Sequence, residues 1–436
     1  MMKKNNLLIL AVAALGFAAC TNDETTAVNE KLAESNEISF RALNNGLMRG
    51  ADEHFDAAND QFAVTAFRKG ETTSPYFNNV TFKTTDGATF TSGDGSKYYW
   101  PSSTNLDFYA YAPLSTEVGG SGSAAVTRND YNNFTVTPGT AVPYQPDLVY
   151  AVTRNRGKAT TDQTGGHVIP TATGVTINFR HAESKVAIKL ANSNKNLKIT
   201  VGDVSIGNLR GSETFTWNGV TDGTTPVAAA SADTDGQYTS GTLTYLNGTW
   251  TATSTQTSAY SVTMESDASY NVFNGIVAAK NLYSADASAP NYDMILIPQA
   301  LKVETTYYNA GSAAVGDLFK GAYITVKIKI QNSAGSADEY IVGSALGGGS
   351  GEDANGYITA MWPLTTLTWL PGHKYTYTID LAGGGYYTTN KDDSSDLDPI
   401  LEGAEIKFVS VTVDDWGAGD ATSVYTGTPA STPVVH

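Results

Sequence analysis

The chain has 436 residues, with 43 acidic against 27 basic side chains and a formal charge of −16 at pH 7. Acidity of this size argues against nucleic acid as a partner and against direct adsorption to anionic lipid, both of which need clustered Lys and Arg. Charged residues make up only 16% while Gly numbers 42 and Tyr 24, the profile of short strands joined by many turns. A chain of this length exceeds what one sandwich holds, so two domains are expected.

The chain opens on Lys3 and Lys4, then an uninterrupted apolar run over residues 7–17, then Ala18, Ala19 and Cys20. That is a secretory presequence, too short and wrongly flanked for a transmembrane helix. Small residues ahead of a cysteine suit a lipoprotein signal peptidase, whose pocket admits little bulk beside the scissile bond and whose substrate carries diacylglycerol on the thiol. Phe17 stands where leucine is usual. Lipidation of Cys20 is expected; the alternative is an ordinary cleaved signal with a buried cysteine. Each buried methylene contributes about 0.8 kcal/mol, so two or three acyl chains hold a protein at a membrane. Thr21-Asn22-Asp23-Glu24 follows and resembles the export signals of surface-exposed outer-membrane lipoproteins. Cys20 is the only cysteine, so stability has to come from apolar burial and not from disulfides.

Residues 21–36 are polar and read as a tether. In 37–43, Ile38, Phe40 and Ala42 share one face, which predicts a half-buried strand. Asn44-Asn45-Gly46 breaks it, and Arg49 lies beyond in a segment without periodicity. Phe62, Val64 and Ala66 alternate in the next strand, 61–67. Lys97-Tyr98-Tyr99-Trp100 ends at Pro101, which has no N–H for a ladder. Residues 105–112 are apolar on both faces, with Leu106 and Phe108 on one and Tyr109 and Tyr111 on the other, so this strand is expected at the centre of a sheet. A strand at 147–152 follows.

The polar stretch 154–173 is the candidate linker. Beyond it, 175–179 and 184–190 alternate around the corner Arg180-His181-Ala182-Glu183, and 197–206 holds another strand or pair of strands. A hairpin is expected around Asn247-Gly248 within 242–263, and a short buried strand at 294–298. Residues 323–330 alternate Ile324, Val326, Ile328 and Ile330 with Thr325, Lys327 and Lys329. Residues 374–380 form a further strand, and 404–413 the last, where a phase change between Phe408 and Val409 suggests a β-bulge. Residues 417–436 are a low-complexity tail. No run of ten residues shows a convincing helical period, although 268–279 has room for one short helix.

Catalytic and metal chemistry leaves no pattern. His54, His167, His181, His373 and His436 fall at no ligand spacing, and His181 reads as a hydrogen-bonded residue at a strand corner. Asp392, Asp393, Asp396 and Asp398 lack the glycine and distal glutamate of a calcium loop, which favours a solvated acidic loop over a calcium site. Gly347-Gly348-Gly349-Ser350-Gly351 lacks the lysine of a phosphate loop and reads as a turn. No catalytic residue, metal site or cofactor is therefore expected, and the chain does not read as an enzyme.

Taken in order, these features resemble the fimbrillin family, the type V pilins and fimbrillin-like lipoproteins of anaerobic Gram-negative bacteria. The carriers are the lipobox at Cys20 and the Ile38-Ser39-Phe40 strand ahead of Arg49. They continue with Phe62-Ala63-Val64-Thr65-Ala66-Phe67 and with Tyr99-Trp100-Pro101 leading to Phe108-Tyr109-Ala110-Tyr111-Ala112-Pro113. Phe179-Arg180-His181-Ala182 and the late Val411-Thr412-Val413-Asp414-Asp415-Trp416 complete the set. The resemblance implies an all-β chain of two transthyretin-like β-sandwich domains and a structural or adhesive role in a cell-surface fimbria. It also implies maturation by an arginine-specific protease that removes the first strand.

The residues supply the physics of that step. Removing a strand that carries Ile38 and Phe40 leaves an apolar groove and unpaired backbone, a template for another subunit's extended segment. Arg49, followed by Gly50, is the expected processing site; Arg41 is the alternative, but it lies inside the strand. The expected division is a signal peptide over 1–19, a propeptide with the removable strand over 20–49, an N-terminal sandwich over 50–172 and a C-terminal sandwich over 173–436. Partners would be other fimbrial subunits, the outer membrane through lipid, and host or bacterial surface ligands. Two other readings stay open. One is a permanent edge strand on an unprocessed surface lipoprotein. The other is a surface glycan-binding lipoprotein, with Trp100, Trp250 or Trp362 as exposed sugar platforms.

Overall fold

Alternation of apolar and polar side chains decides most of this structure. Ile324, Val326, Ile328 and Ile330 are fully buried while Thr325, Lys327 and Lys329 between them are half-exposed, as a strand with one covered face requires. The computed structural model describes residues 37–42, 60–114, 124–140, 142, 145–157, 174–177, 179–217, 242–245, 248–283, 293–301, 321–334, 339–349, 351–364, 367–383, 385–388, 397–399, 401 and 410–415.

The described elements begin with β1 (Phe40–Ala42), β2 (Gln61–Arg68), β3 (Pro75–Thr84), β4 (Phe90–Ser92) and β5 (Leu106–Ala112). A hairpin of β6 (Ala125–Asp130) and β7 (Asn133–Thr137) precedes β8 (Val149–Arg156), β9 (Val175–Ile177) and β10 (Arg180–His181). Next come β11 (Ser184–Asn192), β12 (Leu197–Leu209), β13 (Glu213–Thr216), β14 (Thr242–Tyr245), β15 (Gly248–Thr251) and β16 (Ser258–Thr263). The short strands β17 (Val272–Asn274), β18 (Val277–Asn281) and β19 (Met294–Leu296) lead to β20 (Tyr323–Asn332) and β21 (Tyr340–Val342). The last are β22 (Ile358–Pro363), β23 (His373–Asp380), β24 (Tyr386–Thr388), β25 (Leu397–Pro399) and β26 (Ser410–Asp415). The fold is all-β. Ala268–Asn271 is a four-residue helix inside the stretch with room for one, started by the Asp267 carboxylate accepting the Ser269 N–H at 2.7 Å.

Four sheets result. The first runs β10-β8-β5-β2-β3-β4-β1-β9. All seven residues of β5 are buried, and β5 lies between β8 and β2, at the expected interior position. The sheet folds over itself: Phe40 of β1, Phe90 of β4 and Ile177 of β9 share a core with Phe62 of β2 and Phe108 of β5. On the other face of β2 and β5, Phe67, Tyr109 and Tyr111 meet Phe134, Phe215 and Trp250 of a second sheet, ordered β14-β15-β13-β7-β6. The third sheet, β18-β11-β23-β26 with β19 beside β11, faces the fourth, β16-β12-β20-β22-β24-β25, across one continuous core. β12 is a single 13-residue strand whose register shifts between Val201 and Val204, where a pair of strands was the alternative.

The division expected at 172/173 falls inside the first sheet. β9 and β10 follow that point in sequence, yet β9 pairs with β1 and β10 with β8. β13 and β15 also return to the first part of the chain, through the pairing of β13 with β7. The hairpin around residues 247 and 248 is present, with Tyr245 opposite Gly248.

Candidate functional site

The stretch 37–42, which contains the three-residue β1, is held from every side. Ile38 and Phe40 are 2% and 0% exposed. The Phe40 ring sits edge-on to Phe82, Phe108 and Phe62 at 4.6, 5.2 and 6.1 Å between centroids, the arrangement that aromatic quadrupoles favour. Burying a side chain of this size contributes about 1.5–3 kcal/mol before packing terms. The backbone is equally engaged. The Ile38 N–H donates to the Tyr98 carbonyl at 2.7 Å, and the Ser39 carbonyl accepts the Val175 N–H at 2.8 Å. At the start of the strand Lys97 Nζ lies 3.1 Å from Glu37 Oε2, and this carboxylate raises the Lys97 pKa.

The strand is not an edge. It pairs antiparallel with β4, Phe40 opposite Phe90, and parallel with β9, Phe40 opposite Val175, Arg41 opposite Thr176 and Ala42 opposite Ile177. The permanent edge strand of the unprocessed reading is thereby corrected. An Ile-x-Phe-x-Ala pattern records one buried face and not the number of neighbours, so the sequence has no signal for this. Among the described residues β9 is the edge, with β1 as its only partner in the sheet order. Close packing at this seam needs Gly174: at φ +95° a Cβ would lie 3.0 Å from the Phe40 carbonyl carbon.

Of the site residues read from sequence, Arg41 lies within β1 and is half-buried. Cys20 and Arg49 lie outside the described residues, as do the tail 417–436 and the phase change at Phe408 and Val409. The described part of the last strand, β26, stands at the edge of the third sheet with β23 as its only partner there. Val411 lies opposite Tyr377 and Val413 opposite Tyr375, and both valines are half-buried against the core.

The corner at Arg180-His181-Ala182-Glu183 ties the sheets together. His181 Nδ1 lies 2.9 Å from Asp147 Oδ1, both side chains being buried. Trp250 Nε1–H donates to the Ala182 carbonyl at 2.7 Å, and the Gly372 N–H donates to the Glu183 carbonyl at 2.8 Å. Glu183 is wholly buried, and its Oε2 accepts the Leu148 N–H at 2.6 Å. Burial, reinforced by the Asp147 carboxylate and partly offset by that hydrogen bond, raises the Glu183 pKa well above the usual carboxylate range.

At pH below about 4.3, the ordinary glutamate value, folded and unfolded chains both hold this proton. Above it only the folded chain does, so the stability contributed by Glu183 is complete at low pH and is lost as pH rises through the raised folded value. Glu183→Gln keeps an acceptor for Leu148 and removes the titration. The variant is expected to melt above the wild type at pH 8, with the difference shrinking towards pH 5. Parallel melting profiles across that range would refute the assignment.

The sugar-platform reading loses its residues. Trp100, Trp250 and Trp362 are 7%, 1% and 1% exposed, so none offers a ring face to a ligand. The large apolar side chains that do face solvent among the described residues are Tyr99, Ile276, Ile341 and Leu346. Leu346 sits beside the glycine-rich segment, a turn held by Glu352, which accepts from Ser344 Oγ at 2.7 Å and from the Gly349 N–H at 2.9 Å. Among the described residues no three His, Cys, Asp or Glu side chains are grouped to hold a metal, and no helix is long and apolar enough to cross a membrane. Asp398 lies in β25, and Asp392, Asp393 and Asp396 lie outside the described residues.

The described residues form an all-β chain of stacked sheets in which β1 is buried between two neighbouring strands. The profile of the fimbrillin-like family matches residues 48–416, and the chain belongs to that family. The match starts one residue before Arg49 and leaves β1 outside it. A candidate cell adhesion protein from Bacteroides uniformis is 16% identical, with 88% of this chain and 100% of that chain covered at a TM-score of 0.42. A candidate cell adhesion protein from Bacteroides ovatus gives 14% identity, 87% and 97% coverage and a TM-score of 0.40. The C-terminally truncated tip fimbrial protein Mfa3 from Porphyromonas gingivalis gives 12%, 87%, 98% and 0.28. No curated protein matches the sequence.

Proposed function

We propose that this chain is a structural or adhesive subunit of a cell-surface fimbria, assembled by strand exchange after proteolytic removal of its first strand. One observation carries the reading: β1 fills the gap between β4 and β9 with Phe40 wholly buried among aromatic rings. A strand in that place is indispensable while it is covalently attached, and its loss opens a groove with exposed backbone on both sides. Another subunit's extended segment then has both an apolar slot and two ladders to complete. Groove and donor lie on different parts of the molecule, so the contact is heterologous and propagates as a filament.

The lipobox supports secretion and lipidation at Cys20, which tethers the precursor to the outer membrane facing outward. Processing falls at Arg49, between the end of β1 and the start of β2, with Arg41 as the alternative. Arg41 is the poorer substrate because a protease binds extended, unpaired backbone, and this residue's backbone is paired to β9. The role is mechanical and needs no cofactor or metal.

The test is the N-terminal sequence and acyl content of protein recovered from the cell surface. Assembled material is expected to begin at Gly50 and the unassembled precursor at acylated Cys20. An N-terminus at Ala42 shifts the site to Arg41. Filaments whose subunits still begin at Cys20 contradict the reading. Arg49→Ala is expected to leave a folded, lipidated monomer that does not polymerise.

A further inference from the structure

We infer that Tyr270 and Tyr283 form an oxidative crosslinking site, where hydrogen peroxide acting through a haem peroxidase joins the two rings into dityrosine and staples the third sheet to the fourth. The rings stack face to face, with centroids 3.7 Å apart and planes 12° from parallel. The Tyr270 pKa is raised, first by its hydrogen bond with the Tyr283 hydroxyl and then by charge on that neighbour. The two phenolic oxygens therefore adjoin, and Tyr270 stays protonated at neutral pH. Tyr109 and Tyr131 also meet, but edge-on at 4.8 Å and 73°, so their π faces do not overlap.

Backbone contacts hold the stacked pair in place. Tyr270 closes the helix Ala268–Asn271, and its N–H donates to the Asp267 carbonyl at 2.9 Å. The Tyr283 carbonyl accepts the Glu265 N–H at 2.8 Å, and Lys280 Nζ donates to the Ser269 carbonyl at 3.1 Å. Both rings are only half-buried, so a soluble oxidant reaches them, whereas Tyr150, Tyr375 and Tyr377 are shut inside the cores.

The overlap matters because a tyrosyl radical spreads its unpaired electron over the oxygen and the ring carbons ortho to it. Stacking with the hydroxyls together brings ortho carbons of the two rings opposite each other. The peroxide takes one electron and one proton from each phenol and leaves as two waters. The radicals then pair in a new bond between two ortho carbons. Each of these carbons gives its proton, through water, to its own phenolic oxygen, so the pair has lost two hydrogen atoms and gained one C–C bond.

Topology gives that bond its consequence. β17 and β18 lie between the two tyrosines and belong to different sheets: β17 pairs with β12 in the fourth, and β18 with β11 in the third. A bond at the base of this turn ties the two faces of the sandwich, as a disulfide does by closing a loop of the unfolded chain. Cys20 is the only cysteine, so no disulfide within the chain performs that task.

The experiment treats the full chain, at high dilution, with hydrogen peroxide and a haem peroxidase. The expected product is a monomer with dityrosine fluorescence and a mass lower by two hydrogen atoms. Trypsin cuts after Lys280, between the two tyrosines, so residues 211–280 should emerge joined to 281–302, with fragment ions placing the bond at Tyr270 and Tyr283. Tyr270→Phe and Tyr283→Phe keep an aromatic ring but lack one phenol, and each should abolish the product. The crosslinked chain should melt above the untreated one, while treated Tyr270→Phe should not. The site is overturned if the bond maps to Tyr109 and Tyr131, if it persists in Tyr270→Phe, or if every product is a dimer. It is equally overturned if the chain is unchanged while the same mixture couples free tyrosine. A crosslinked monomer that melts no higher than the untreated chain overturns the staple between the sheets.

Discussion

Phe40→Ala is expected to lower the unfolding free energy of the first part of the chain by about 3–5 kcal/mol, the range for deleting a wholly buried aromatic side chain. The ring is 0% exposed, and three of its neighbours, Phe62, Phe82 and Phe108, lie on interior strands β2, β3 and β5 that have little freedom to collapse into the space. A cavity therefore persists, and the loss exceeds the transfer free energy of the side chain alone. Thr91→Ala, an exposed position on the neighbouring β4, serves as the control and should stay within about 0.5 kcal/mol. Urea unfolding followed by tyrosine and tryptophan fluorescence separates the two. A loss under 1 kcal/mol for Phe40→Ala would mean that the first strand does not seal this core in solution.

Local pattern made individual strands legible but not their partners. The alternation in β20 and the doubly apolar β5 state which faces are covered, and the structure covers them. Sheet membership depends on pairing between residues far apart in sequence. The polar stretch 154–173 looks like a linker wherever the chain goes next, and β9 and β10 go back to the first sheet. The same limit hid the interior position of β1. Tryptophan is ambiguous for a different reason, since a large ring with one polar edge suits both a ligand platform and a core. Trp250 resolves that edge internally by donating to the Ala182 carbonyl. Glu183 was visible as a charge between two apolar strands, but its burial depends on Leu148 and Asp147, which come from 35 and 36 residues earlier.

Deleting residues 404–436 from protein processed at Arg49 is expected to abolish polymerisation, whereas deleting 417–436 alone should leave it intact. Pro429 and Pro433 interrupt any ladder that residues 417–436 join. The apolar side chains of any size in this segment are Val424, Tyr425, Val434 and Val435. At about 25 cal/mol per Å² the three valines bring only a few kcal/mol before ordering costs. Residues 404–416 carry Ile406, Phe408, Val409, Val411 and Val413, and the described portion is an edge strand that can leave by breaking one ladder, that with β23. Sedimentation and electron microscopy of the processed proteins read the outcome. A melting curve of each shortened chain checks that losing β26 has not unfolded the sandwich beneath Val411 and Val413. If the short deletion alone stops polymerisation, the tail is the donor. If neither deletion matters, the subunit receives strands without giving one, as at a filament tip, or the chain does not polymerise through its groove at all.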